Sequence, residues 1–134
     1  MSLVVVPVRY PLNPRSRRTL EEAVALARER DAALSVLHVN LYQNGSTVTR
    51  TDLKQEVERT VGRLNNARYT VRSGFLVEEA ILDEVAAEGA DVVVIGERQA
   101  GRLRRILERF TDNPNIDGYL RRNLDCEVRT VDVS

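Results

Sequence analysis

Glycine and arginine are concentrated in one stretch of this sequence whose residue types suit the binding of a charged ligand. The stretch from Gly96 to Gly101 reads Gly-Glu-Arg-Gln-Ala-Gly and is followed at once by Arg102. Glycines let a backbone bend so that several N–H groups point at one anion, and the guanidinium of Arg98 or Arg102 adds positive charge. The pattern predicts an anion-binding loop. The competing interpretation is a plain turn that needs glycine for its backbone conformation and carries solvated arginines.

More arginines follow the first apolar run of the chain. Arg9 and the run 15–18, which holds three arginines, come directly after Leu3 to Val8. If the first and fourth strands are neighbours, these residues and the arginines after Gly96 form one basic rim. Acidic residues nearby in sequence, such as Glu97, would neutralise part of that charge.

Residues suited to nucleophilic or metal chemistry are scarce. The chain contains one cysteine, Cys126, and one histidine, His38. A single cysteine excludes an intramolecular disulfide and a multi-cysteine metal site, and a single histidine leaves few options for a general base. His38 lies among apolar neighbours, which favours a hydrogen-bonded histidine of the core or sheet edge. We therefore predict no catalytic residue, no metal site and no enzymatic activity.

Composition and length restrict the class of protein. The 134 residues predict one domain, 1–134, and 43% hydrophobic with 30% charged residues is typical of a globular protein. Twenty acidic residues balance twenty basic ones, so no overall charge attracts nucleic acid or an anionic membrane. No apolar run approaches the roughly 20 residues of a membrane span. The N-terminus lacks a basic region before its apolar run, so we expect a cytoplasmic protein with no nucleic-acid or membrane partner.

Apolar runs that suit buried strands alternate with helical patterns along the chain. The predicted strands are Leu3–Val8, Leu34–Val39, Arg68–Ser73, Val92–Ile95 and Cys126–Val133. Four consecutive β-branched residues in the fourth run favour a strand buried on both faces, as in a parallel sheet. Strict alternation of strand and helix predicts an α/β fold, with a five-stranded parallel sheet and helices on both faces.

The helix boundaries are predicted from capping residues. Thr19 with Glu22 has the spacing of a capping box for the first helix, although Ser16 could cap an earlier start. Asp52 is the predicted cap of the second helix, and Gly89 is placed to end the third. A short helix is also predicted over 116–123, before the last strand.

Three of these stretches, in this order, resemble the universal stress protein family. Leu3-Val-Val-Val-Pro-Val8 resembles its opening strand, Leu34-Ser-Val-Leu-His-Val39 its second strand, and Gly89-Ala-Asp-Val-Val-Val-Ile-Gly96 the entry to its phosphate loop. The resemblance spans essentially the whole chain. It implies strand order 3-2-1-4-5, a homodimer formed through Cys126 to Val133, a regulatory or stress-linked role and, in one branch, an ATP site between strands one and four.

The sequence departs from the ATP-binding branch at its glycines. That branch carries glycine, two residues, glycine, nine residues, then glycine followed by serine or threonine. Gly96 matches the first glycine, but Gln99 stands at the second, and Pro114-Asn115 replaces the last pair. Gly101 could take the place of the second glycine by a slip in register, and Arg9 replaces the usual aspartate. These departures predict that ATP binds weakly or not at all, with no affinity better than high micromolar.

The candidate nucleotide- or anion-binding residues combine the motif with the resemblance. They are Pro7, Val8, Arg9, Val39, Gly96, Arg98, Gly101, Arg102 and Asn115. ATP or AMP is the candidate cofactor, and Val39 suits a backbone contact to its base. Two alternatives remain open: an ATP-binding universal stress protein with a rearranged glycine loop, and a pure interaction module that binds a protein partner of unknown identity and no ligand. A flavin-binding domain of similar fold is disfavoured, because only 4% of the residues are aromatic.

Overall fold

A computed structural model describes residues 2–45, 47–110 and 125–132 of the chain. Strands and helices alternate along these residues, as the sequence predicts. The elements are β1 (Leu3–Pro7), α1 (Pro14–Glu29), β2 (Ala33–Leu41), a 3-10 helix (Tyr42–Asn44), α2 (Arg50–Val61), β3 (Ala67–Gly74), α3 (Val77–Glu88), β4 (Val92–Gly96), α4 (Glu97–Phe110) and β5 (Glu127–Val131).

The five strands form one parallel sheet in the order β3-β2-β1-β4-β5. This confirms the predicted fold class and the strand order that the family resemblance implies. β1 lies at the centre, paired on one side with β2 and on the other with β4. Both β1 and β4 are almost continuous runs of β-branched residues, because side chains on both faces of the sheet are buried.

Side chains alternate between two hydrophobic cores, one on each face of the sheet. Val4 and Val6 of β1 pack towards α1 and α2, together with Leu20, Leu53 and their neighbours. Leu3 and Val5 point the other way, towards α3 and α4. The period of two along a strand therefore assigns one pair of helices to each face. Tyr69 and Val71 share a face of the edge strand β3, as predicted.

The first two helices begin earlier than their predicted caps. α1 begins at Pro14, because proline suits the first helical position and the Asn13 side chain accepts a 2.8 Å hydrogen bond from the Ser16 N–H. Thr19 is inside the helix, where its hydroxyl donates to the Arg15 carbonyl. α2 is capped by Thr49, and Asp52 is its capping-box partner and not the cap itself. The Gly89 prediction is confirmed, with φ of 61°.

The prediction of a loop from Gly96 to Gly101 is wrong. Gly96 is the last residue of β4, and α4 begins at the next residue, Glu97. Buried Ala100, Leu103 and Ile106 recur at helical spacing, so the amphipathic pattern extends back through Gly101 and outweighs its glycine. Among the described glycines, positive φ angles occur at Gly45, Gly62 and Gly89, and Gly96 is not one of these.

The C-terminal predictions are tested only in part. β5 spans Glu127 to Val131, shorter than the predicted Cys126 to Val133, and Cys126 is buried just before it. Val133, Asn115, Pro114 and the predicted short helix over 116–123 lie outside the described residues.

Candidate ligand-binding cleft

The carboxyl ends of β1 and β4 lie side by side at the centre of the sheet. The chain leaves β1 towards α1 and leaves β4 towards α4, which pack on opposite faces. In open α/β sheets, ligands bind in the crevice where neighbouring strands diverge in this way. A cleft of about 340 Å³ opens at this point.

The cleft is lined by residues at and after the ends of β1 and β4, with others from β2 and from the starts of α1, α3 and α4. They are Pro7, Val8, Arg9, Asn13, Arg15, Ser16, Thr19, His38, Val39, Val77, Gly96, Arg98, Gln99 and Arg102. Four of these are arginines, and none is an aspartate or glutamate. The cleft therefore has a strongly positive lining in a chain of balanced charge.

The four arginines of the cleft, Arg9, Arg15, Arg98 and Arg102, are all exposed. Within the part of the chain that the structure describes, none of the four forms an ion pair with a carboxylate. A guanidinium without a protein partner can donate two parallel hydrogen bonds to one phosphate or carboxylate.

Linked hydrogen bonds hold the segment after β1, which forms one wall of the cleft. The backbone N–H of Arg9 donates to the Ser16 hydroxyl at 3.1 Å, and the Ser16 N–H donates to the Asn13 side chain at 2.8 Å. The next part of the loop is fixed from outside the cleft, because the Leu12 N–H donates to the carboxylate of Glu56 on α2 at 2.9 Å. The hydrogen bonds of Ser16 and the bond from Leu12 to Glu56 together position Arg9.

His38 supports the cleft floor. Its side chain is 8% exposed, and its Nδ1 lies 3.1 Å from the carbonyl oxygen of Val8. Because a carbonyl only accepts, Nδ1 carries the hydrogen, and in the neutral ring Nε2 is then an acceptor. The ring of Tyr10 meets the imidazole edge-on at a centroid distance of 6.1 Å. This arrangement agrees with the expected hydrogen-bonded histidine.

The wall after β4 is held by a second tether. Gln99, in the first turn of α4, donates to the carboxylate of Glu78 at 2.6 Å. Glu78 is in the first turn of α3 and is 9% exposed. The residue that replaces a family glycine is thus bound to a neighbouring helix, and its side chain occupies part of the cleft lining.

A model of the universal stress protein family matches residues 2–128 of the chain. The chain belongs to the universal stress protein family. The resemblance seen in the sequence is therefore confirmed. No curated protein sequence matches the chain significantly.

Solved structures of universal stress proteins share the fold of this family member. One, a universal stress protein in complex with cAMP, is 18% identical with a TM-score of 0.57, and the match covers 97% of each chain. UspA from Lactobacillus plantarum is 17% identical with a TM-score of 0.57 over 97% of each chain. A universal stress protein from Archaeoglobus fulgidus is 18% identical with a TM-score of 0.58, over 97% of this chain and 98% of that one. At these identities the likeness shows the fold alone.

Seven of the nine candidate residues of this universal stress protein border one cleft. They are Pro7, Val8, Arg9, Val39, Gly96, Arg98 and Arg102. Gly101 lies inside α4 and does not line the cleft, so the structure does not bring it to the site. Asn115 lies outside the described residues.

Sequence reasoning missed the contribution of α1 to the lining of the cleft. Asn13, Ser16 and Thr19 all border it. The signal was present in the sequence, because Asn13-Pro14 is a strong helix start directly after the first strand. Assigning the cap to Thr19 instead moved the start of the helix away from the cleft.

The described residues contain neither a cluster of metal ligands nor a membrane-spanning helix. No group of three or more histidine, cysteine, aspartate or glutamate side chains there is arranged to hold a metal ion. In the same part of the chain, no helix has the length and apolar character needed to cross a membrane.

Proposed function

We propose that this universal stress protein is a homodimeric regulatory or stress-response protein whose cleft binds a nucleotide or another anion weakly and carries out no catalysis. The observation that carries the proposal is the lining of the cleft, with no carboxylate and with four arginines that form no ion pair among the described residues. Such a lining favours anions over neutral or cationic ligands. A universal stress protein of this fold has been solved in complex with cAMP, and this supports a nucleotide as the ligand class.

ATP or AMP suits the cleft in its phosphate contacts better than in its ribose contacts. Arg98 and Arg102 follow the end of β4, where the N-terminus of α4 adds partial positive charge. Arg9 offers the ribose hydroxyls no acceptor, unlike the aspartate it replaces. Val39 lines the cleft and remains the candidate for a backbone contact to the base.

Weak binding follows from the conformation after β4. High-affinity phosphate loops bend so that several backbone N–H groups converge on the ligand. Here the chain enters α4 directly after Gly96, so only the N–H groups of the first turn are left without a helical hydrogen bond. Glu97 also places a negative charge in that turn. We therefore expect a dissociation constant for Mg-ATP no better than high micromolar.

The position of Gly101 argues against the rearranged-loop alternative. That alternative requires Gly101 to approach a phosphate, but Gly101 is inside α4 and does not line the cleft. An interaction module without a ligand remains the alternative that the binding experiment must distinguish.

Isothermal titration calorimetry tests the proposal with Mg-ATP, AMP, cAMP and pyrophosphate. We expect heats of binding for the phosphorylated ligands, weakened at least tenfold by Arg98→Gln, which corresponds to about 1.4 kcal/mol or more. Arg105→Gln is the matched control, because Arg105 is exposed on the same helix but does not line the cleft. A low-micromolar constant for ATP would contradict the weak-binding proposal. Absence of binding for every ligand would favour the interaction module.

We propose that the dimer forms through the outer edge of β5, within the predicted segment from Cys126 to Val133. In the described residues β5 pairs only with β4, so its other edge has unpaired backbone groups. Exposed strand edges of this kind pair readily with another strand. Val131 is unsuited to a test because it is buried in the core, whereas Thr130 is exposed.

A further inference from the structure

A second concave surface shares no lining residue with the cleft. It is a groove of about 580 Å³ between α2 and the amino end of β3. Its lining residues, which define the α2–β3 groove, are Arg50, Thr51, Lys54, Glu58, Arg63, Leu64, Asn65, Asn66, Ala67, Arg68 and Tyr69. None of them borders the cleft. Binding at the groove is therefore separable from binding at the cleft.

The α2–β3 groove is rich in cations. Four of its residues are basic, and Glu58 is its one acid. Arg68 pairs with Glu88 at 3.2 Å. Within the described part of the chain, the other three, Arg50, Lys54 and Arg63, form no ion pair. The groove thus presents three uncompensated cationic groups in a chain whose overall charge is zero.

A buried hydroxyl at the groove has no protein partner. Tyr69 is 6% exposed, and its hydroxyl oxygen is shielded from solvent and makes no hydrogen bond within the described residues. An unsatisfied buried polar group of this kind destabilises the folded protein. Burial raises the pKa of Tyr69, and the nearby carboxylate of Glu58 raises it further. The phenol therefore stays protonated at neutral pH and is a hydrogen-bond donor that lacks an acceptor.

We propose that the α2–β3 groove binds a small linear oligophosphate, with the Tyr69 hydroxyl donating to one of its oxygens. An oligophosphate supplies the acceptor that Tyr69 lacks and the negative charges that Arg50, Lys54 and Arg63 lack. Arg50 and Lys54 are about one helical turn apart, roughly 6 Å along α2, so they can contact successive phosphoryl groups. Asn65 adds an amide donor at the end of the groove. Because the hydroxyl is shielded from solvent, the side chains around it must move before a ligand oxygen can accept its hydrogen bond.

Calorimetric titration with inorganic tripolyphosphate tests the proposal in a protein that carries Arg98→Gln, which weakens the cleft. We expect binding to persist in that background. Adding Lys54→Gln with Arg63→Gln should weaken it at least tenfold, and adding Tyr69→Phe instead should weaken it several-fold. Tyr42→Phe is the matched control, because Tyr42 is 58% exposed and does not line the groove.

Urea unfolding of the ligand-free proteins separates a binding hydroxyl from a structural one. Because the hydroxyl has no protein partner, Tyr69→Phe should leave the midpoint unchanged or raise it. A lower midpoint with unchanged tripolyphosphate binding would overturn the proposal, since the hydroxyl would then have a structural partner. Loss of all binding in Arg98→Gln alone would also overturn it, because the anion would then bind only in the cleft. So would unchanged binding in the Lys54 and Arg63 double variant.

Discussion

Replacement of Glu56 by glutamine tests how the first wall of the cleft is held in place. Glu56 is on α2, is 7% exposed and accepts hydrogen bonds from the Arg59 guanidinium and from the Leu12 N–H. Leu12 belongs to the loop between β1 and α1, which also carries Arg9. A carboxylate that does not line the cleft therefore fastens one of its walls.

The expected loss of stability comes mainly from the bond to Leu12. The Arg59 side chain is 75% exposed, so solvent screens its ion pair with Glu56 and the pair contributes little to stability. A hydrogen bond to a charged group contributes about 1.5–3 kcal/mol. Glutamine keeps an oxygen acceptor for Leu12 but loses the charge, so we expect Glu56→Gln to lower the free energy of unfolding by about 1 kcal/mol at neutral pH. Glu56→Ala removes both bonds, and we expect it to cost about 2–3 kcal/mol.

The pH dependence of the free energy of unfolding tests whether the ionised carboxylate of Glu56 is the source of this stability. The donors from Arg59 and then from Leu12 hold the pKa of Glu56 below its ordinary value of 4.5. When the pKa of a carboxyl is lower in the folded protein than in the unfolded chain, the ionised carboxylate stabilises the fold. That stabilisation is fully present above the unfolded-state pKa and is lost as the pH falls through the folded-state pKa. The difference between wild type and Glu56→Gln should therefore be constant near pH 7 and shrink below about pH 4.5.

Urea unfolding at a series of pH values measures this difference. Glu22→Gln is the matched control, because Glu22 is exposed on α1 and has no hydrogen-bond or ion-pair partner among the described residues. Its effect should be within about 0.5 kcal/mol at every pH. A difference for Glu56→Gln that does not shrink as the pH falls below about 4.5 would refute the reasoning, because the stability that the ionised carboxylate supplies is lost from there downwards.

Three further predictions follow from individual residues. Gly101→Ala should raise the free energy of unfolding by about 0.5–1 kcal/mol and leave ligand binding unchanged, because Gly101 is helical and its surroundings are open; lost binding would restore it to the site. Gly96→Val should weaken ATP or pyrophosphate binding in calorimetry far more than it lowers the melting temperature. Binding should suffer because Gly96 lines the cleft, and stability should suffer less because Gly96 does not have a positive φ. The reverse result would mean that the glycine is needed for folding. Thr130→Lys should shift sedimentation towards monomer, because lysine at a strand edge opposes pairing, whereas Thr47→Lys, in an exposed loop, should not; an unchanged dimer would exclude the β5 edge.

The sequence predicted the sheet because its strands depend on strong, local signals. The runs at Val92 to Ile95 and Leu3 to Val8 are apolar throughout and mostly β-branched, and few structures other than a buried parallel strand accommodate them. Alternation with helical patterns then restricts the fold class to a few architectures. The order of the strands is not encoded in such local patterns, and it came from the family resemblance.

The sequence predicted the cleft residues less well where two signals competed. Between Gly96 and Gly101, the glycine pattern favoured a loop and the apolar spacing favoured a helix. The helix forms because the apolar side chains from Ala100 onward gain burial, at a cost of about 1 kcal/mol for one internal glycine. Two signals also competed at the start of α1. Thr19 with Glu22 matches the longer capping-box pattern, so the predicted start was too late, whereas the cap that forms is Asn13. Tertiary contacts such as Gln99 with Glu78 have no signature in a single sequence.

The positive character of the cleft depends on where its supporting acids lie. Glu56 holds the wall after β1 through Leu12, and Glu78 holds the wall after β4 through Gln99. Both carboxylates belong to helices on opposite faces of the sheet, and neither lines the cleft. Each wall therefore gains a strong, charge-assisted hydrogen bond without adding a negative charge to the lining. The fold in this way fastens both walls of the cleft from outside and keeps its lining cationic, which is the property on which the proposed binding of an anion depends.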